Sequence, residues 1–153
     1  MNTSDVATIL SDSECWKLLR STEVGRLGLC GTHGPEIFPV NFVVDHGTLV
    51  FRTAVGTKLA MVDATSAVAF EADGYDTATQ QVWSVVVKGD ASVVRNVEDV
   101  MSTTDLPLFP WHGSAKSTFV RIVPTTFTGR RFRVVDGSVW ASLLSGARPT
   151  APE

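Results

Sequence analysis

A chain of 153 residues with a formal net charge of −3 is the size of one domain with its own core. Apolar residues make up 44% and charged residues 19%, which excludes a disordered chain, and the acidic balance argues against non-specific nucleic-acid binding. No apolar run approaches the roughly 20 residues a membrane helix needs, and Met1–Leu10 lacks the basic flank and apolar stretch of a secretory signal, so the cytoplasm is the expected location.

Ser11-Asp12-Ser13-Glu14 is a capping-box pattern, and Cys15, Trp16, Leu18 and Leu19 follow at helical spacing, predicting a helix over Ser11–Ser21. The period then changes. Val24–Cys30 reads as a strand, stopped by the turn cluster Gly31–Pro35, and Ile37–Val44 reads as a second strand. Asp45-His46-Gly47 is a short hairpin loop leading into a third strand, Thr48–Thr53. These connections are too short for parallel crossovers, so the first half is an antiparallel meander.

Gly56 breaks the run, and Thr57 caps a short helix through Asp63. Ala67–Ala72 is a fourth strand, Gly74–Gln81 a polar loop, and Trp83–Val94 a long strand kinked by a bulge at Gly89. Val97–Thr104 suits a helix and Asp105–Lys116 an irregular loop. Thr118–Phe127 is a sixth strand, in which Pro124 signals an edge or a bulge. Gly129-Arg130-Arg131 places two cations after that strand, and the segment after Gly137 reads as a mobile tail, leaving residues 1–136 as the domain. Cys15 and Cys30 show no metal or disulfide spacing and read as buried thiols.

Phe51-Arg52-Thr53-Ala54-Val55-Gly56-Thr57-Lys58-Leu59 is the most informative segment. A strand ends in Arg and Thr, and a helix opens with Thr and Lys, which is the chemistry a phosphate group wants. The glycine spacing of a Walker loop is missing, and a surface loop with two solvated cations has the same sequence. Pro39-Val40-Asn41-Phe42 puts a proline and a poor strand former inside a strand, fitting either a ligand against the backbone or an edge strand. Trp83 and Trp111 are planar enough to cover a ring, although a strand Trp is more often core, and His112 lies in the same loop as Trp111. No hydrolase elbow, zinc helix or Cys-His pair is present, and His33, His46 and His112 show no metal spacing, so no catalytic side chain and no metal is assigned.

The ordered set Leu10–Leu19, Gly25-Arg26-Leu27-Gly28, Pro39–Phe42, Leu49–Thr53, Gly56–Leu59, Trp83–Gly89 and Gly129–Arg131 resembles the pyridoxamine 5′-phosphate oxidase-like, flavin-binding split-barrel superfamily, in particular its small actinobacterial members. That resemblance implies a mainly β fold: a six-stranded, antiparallel, Greek-key-like split β-barrel with short helices. It implies a homodimer with FMN between subunits and an oxidoreductase passing hydride to a small-molecule substrate, or, alternatively, a coenzyme F-420-dependent reductase or a flavin binder without turnover. By the same resemblance Phe51, Arg52, Thr53, Thr57 and Lys58 hold the phosphate. Pro39, Val40 and Asn41 flank the ring, and Trp83 and Trp111 close the site. The C-terminal substrate-binding pattern of vitamin B6 oxidases is missing.

Overall fold

The computed structural model describes residues 7–54, 56–95 and 118–134. The helix expected over Val97–Thr104, the loop with Trp111 and His112, and the tail after Gly137 lie outside these residues.

Seven strands and two helices are found among the described residues: β1 (Thr8–Ile9), α1 (Asp12–Arg20), β2 (Val24–Gly31), β3 (Gly34–Asp45), β4 (Thr48–Thr53), α2 (Thr57–Ala64), β5 (Ala67–Asp76), β6 (Gln81–Val93) and β7 (Thr118–Arg133). Six of the strands close on themselves in the order β7-β4-β3-β2-β5-β6, with β6 pairing back to β7. All the pairings are antiparallel. Consecutive β2, β3 and β4 are neighbours, and β5 returns beside β2, which is the Greek-key order. The seventh strand, β1, was not expected. Two residues are too few to show a period, and β1 is recognisable only by its pairing with Arg130 and Arg131 of β7.

Ser11 caps α1: its hydroxyl accepts the Glu14 N–H at 3.2 Å, and the Glu14 carboxylate accepts the Ser11 N–H at 2.8 Å. These hydrogen bonds hold the Glu14 carboxyl below its ordinary range. The helix buries Cys15 and Leu19, and Trp16 meets Phe127 edge-on with ring centroids 4.9 Å apart. Inside the barrel, Leu27, Leu49, Phe51, Phe70, Val85, Val87 and Ile122 are fully buried. They occupy alternate strand positions, as a period of two demands. At the β3–β4 hairpin His46 (φ 46°) and Gly47 (φ 73°) both take positive φ, the requirement of a type I′ turn between paired Asp45 and Thr48.

Several element boundaries differ from the sequence expectation, while the expected bulge is found. The polar stretch read as a loop from Gly74 is strand as far as Asp76, because Gly74 pairs with Trp83 and leaves the space the indole fills. The bulge near Gly89 is present, and its extra residue is Thr125: Lys88 pairs with Thr126, Gly89 with Pro124, and the Thr125 hydroxyl donates to the Lys88 carbonyl at 3.0 Å. Pro124 therefore sits at a bulge in an interior strand, not at an edge. Finally, β7 runs through Arg130 and Arg131 to Arg133. Consecutive strand residues face opposite ways, so Arg130 and Arg131 do not form one anion-binding pair. Cys30 is exposed, contrary to expectation, while Cys15 is buried. Burial pushes the Cys15 thiol up, which suits a packing residue and not a nucleophile.

Candidate functional site

The site expected around β3, β4 and α2 begins with the backbone of β3. Its pairing with β4 runs only from Phe42 to Asp45, whereas its pairing with β2 spans Gly34–Asn41. The first half of β3 thus has an open edge among the described residues. The Phe42 N–H donates to the Glu23 carbonyl at 3.0 Å, so even-numbered residues of this stretch turn their backbone groups to β2 and odd-numbered ones turn theirs away. Pro35 and Pro39 fall on the outward positions. Pro39 costs no ladder bond there, and between the two prolines only Ile37 presents an outward N–H.

At the end of β4 the side chains divide between two faces. Phe51 is fully buried and Thr53 is 5% exposed, both facing the core, while Arg52 between them faces out. The Thr53 hydroxyl donates to the Ala54 carbonyl at 3.2 Å. The Arg52 guanidinium lies over the Phe119 ring at 5.2 Å. Continuing the β3–β4 register past Phe42 and Phe51 brings Asn41 level with Arg52. Both are half-buried, with the Asn41 Oδ1 and Arg52 Nε atoms fully shielded. Val40 is buried in the core and Pro39 is exposed.

The helix α2 starts four residues after β4 and packs against β2 and β6. Its first internal hydrogen bond runs from the Ala60 N–H to the Gly56 carbonyl at 3.0 Å. The amides of Thr57, Lys58 and Leu59 precede that bond, and such first-turn N–H groups have no acceptor within a helix. The Lys58 ammonium lies over the Phe38 ring at 5.2 Å. Lys58 thus sits over a ring on the core side of β3 and Thr53 faces the core, while Arg52 stands on the outward face of β4. Of Thr57 only the backbone is described.

Within this chain Trp83 is a buried residue of β6. It belongs to the core cluster and lies against Gly74. Continuing the β6–β5 and β5–β2 registers brings it level with Glu23, whose carbonyl accepts the Phe42 N–H of β3. Trp111 lies outside the described residues. Sequence reasoning missed Phe38 and Phe119, the rings that seat the two cations. Aromatic residues in strands are so commonly core that neither carried a distinguishing signal. No group of His, Cys, Asp and Glu suited to a metal occurs among the described residues, and none of their helices is long and apolar enough to cross a membrane.

Residues 11–131 match the family model described as pyridoxamine 5′-phosphate oxidase. This chain belongs to that family. An uncharacterized protein of Mycobacterium tuberculosis is 37% identical over 127 residues, covering 80% of this chain and 83% of that one. A solved structure of an FAD binding protein from Mycobacterium smegmatis is 45% identical, with a TM-score of 0.70, covering 84% of this chain and 99% of that one. A conserved protein of unknown function from Corynebacterium diphtheriae is 42% identical, with a TM-score of 0.71 and the same coverage of both chains. Family membership accounts for the Greek-key barrel, to which the order of the segments between Leu10 and Arg131 had pointed.

Proposed function

We propose that this family member binds a flavin at the corner of β3, β4 and α2 and acts, as a homodimer in the cytoplasm, as an oxidoreductase on a small molecule. The carrying observation is the donor set at the start of α2. Lys58 is a cation seated on Phe38, beside first-turn amides whose partial positive charge suits an anion. This chemistry fits the phosphate of FMN, or the same phosphate within a larger flavin. The open edge of β3 offers the Ile37 N–H and the Pro39 carbonyl to a flat ring, and Asn41 and Arg52 stand on the outward face beside it. A bound flavin supplies the hydride transfer, and the protein supplies position and charge. That division fits a corner whose described residues include no paired acid and base. The FAD-binding relative from M. smegmatis supports a flavin. The dimer is supported by large apolar side chains left exposed on the barrel, Ile9 at 82% and Ile37 at 73% among them.

The test is titration of the purified protein with FMN, riboflavin and coenzyme F-420. FMN binds, and Lys58→Ala weakens it by about tenfold or more while leaving riboflavin, which lacks the phosphate, unchanged. Equal FMN affinity in both proteins removes the phosphate assignment. Preference for F-420 replaces the flavin with the deazaflavin.

A further inference from the structure

Ile37, Phe38 and Pro39 divide their groups between two sides of β3. Phe38 is level with Leu27, a fully buried residue of β2, so its ring faces the core side of the sheet, where it is half-buried against the core cluster. The side chains of Ile37 and Pro39 point the other way and are exposed, and the backbone groups of both turn to the open edge of the strand. Lys58 reaches the Phe38 ring from a different element. It is the second residue of α2, a helix that packs against β2 and β6, and its ammonium lies 5.2 Å from the ring centroid. That separation is within the range of a cation–π attraction. A lysine has a flexible four-carbon stem and loses much rotamer freedom when it is fixed. Its place in the first turn of a helix therefore does not by itself aim the ammonium at the amides there; a ring beneath the charge restricts it.

We propose that Phe38 is a positioning residue: its ring holds the Lys58 ammonium beside the first turn of α2 and ties that cation to the edge of β3. This rests on the flavin reading above, which uses the Lys58 charge, and adds that Phe38 delivers it. Three consecutive residues of one strand then set both ends of the ligand, the backbone of Ile37 and Pro39 at the flat ring and the side chain of Phe38 at the phosphate. Leucine at position 38 keeps an apolar side chain beside Leu27 but has no negative ring face. With leucine there, an arriving phosphate must itself order the lysine stem.

The experiment titrates FMN and riboflavin by flavin fluorescence into the full chain, Phe38→Leu, Phe38→Tyr, Lys58→Ala and the double variant Phe38→Leu, Lys58→Ala. Phe38→Leu is expected to weaken FMN about three- to tenfold, the range of a cation–π contact, and to leave riboflavin, which has no phosphate, unchanged. Phe38→Tyr restores an aromatic face and recovers most of the loss. In the Lys58→Ala background, Phe38→Leu lowers FMN affinity no further, because the cation it positions is gone. Additive losses from the two substitutions, or equal losses of FMN and riboflavin in Phe38→Leu, overturn the proposal: Phe38 is then a packing residue of β3, and the flavin reading stands. Should circular dichroism show that Phe38→Leu does not fold, Phe38→Met, whose unbranched side chain adapts to a core, takes its place with the same expectations. No FMN binding by the unaltered protein, or FMN affinity indifferent to Lys58→Ala, overturns the phosphate corner and the role of Phe38 together.

Discussion

Arg121 of β7 reaches across the outer face of the sheet to Asp45, with Nη1 2.8 Å from Oδ2, and the same nitrogen donates to the Thr48 hydroxyl at 2.6 Å. The pair ties the β3–β4 hairpin to β7, and both side chains are largely shielded, at 20% and 17% exposure. Burial works to raise the Asp45 pKa, but hydrogen bonds from Arg121 and His46 outweigh it and hold the carboxyl below its ordinary range. A carboxyl depressed in the folded state stabilises above its unfolded pKa, and that stability is lost as pH falls through the folded value. Arg121→Met should therefore cost about 1–3 kcal/mol at neutral pH. The difference from the unaltered protein should shrink as pH falls below about 4. Urea unfolding from pH 7 down to pH 2 checks this. A difference constant with pH would mean that the cost comes from lost packing and not from the ion pair.

Gly129 lies directly under the Cys15 sulfur. A Cβ at this position would overlap that sulfur and come within 3.0 Å of the Leu10 Cβ. Gly129→Ala should destabilise by about 1–3 kcal/mol through overpacking. Combining it with Cys15→Ala should recover part of the loss, because the two atoms compete for one space. Gly28 is the control: a Cβ there meets nothing closer than 3.6 Å. Gly28→Ala should be neutral or slightly stabilising. Thermal melts of the unaltered protein, Gly129→Ala, Cys15→Ala, the double variant and Gly28→Ala decide, and additive losses at Gly129 and Cys15 would refute the shared-space explanation.

The cap of α1 gives a more local prediction. Ser11→Ala removes the acceptor of the Glu14 N–H and should cost about 1 kcal/mol. Ser11→Asp, which keeps an acceptor at the N-cap, should restore most of it. Equal stability of Ser11→Ala and the unaltered chain in urea unfolding would show that the helix is held by Cys15 and Leu19 alone.

The elements legible in the sequence were those whose pattern is local. Ser11 and Glu14 announce the first helix, the alternation of Leu49, Phe51 and Thr53 announces β4, and His46-Gly47 announces a hairpin. What escaped depended on distant partners. The Gly74–Asp76 end of β5 is strand because Trp83 needs an empty position opposite it. Arg130 and Arg131 look like an anion site until β6 and β1 pair on either side of them. The candidate site divided in the same way. Lys58 and Arg52 were visible as cations. That Arg52 turns outward follows from the alternation along β4, and the seats of the two cations on Phe119 and Phe38 come from separate strands. A groove of about 630 Å³ between α2 and the β2–β3 turn, walled by Ala60, Ala64 and His33, left no trace in the sequence, since its two walls are about thirty residues apart.

Pro39 admits a test of the open edge itself. Because its missing N–H points away from β2, the proline spares no hydrogen bond inside the barrel; its effect is to deny one to any strand approaching from outside. Pro39→Ala should change stability by no more than about 1 kcal/mol, the entropy that proline removes from the unfolded chain. It should nevertheless increase self-association, since the substituted position would join Ile37 in presenting an N–H on the same edge. Light scattering against concentration, with urea unfolding on the same samples, separates the two effects. A large loss of stability with no change in association would mean that Pro39 shapes β3 from within, and that the open edge is closed by something other than its prolines.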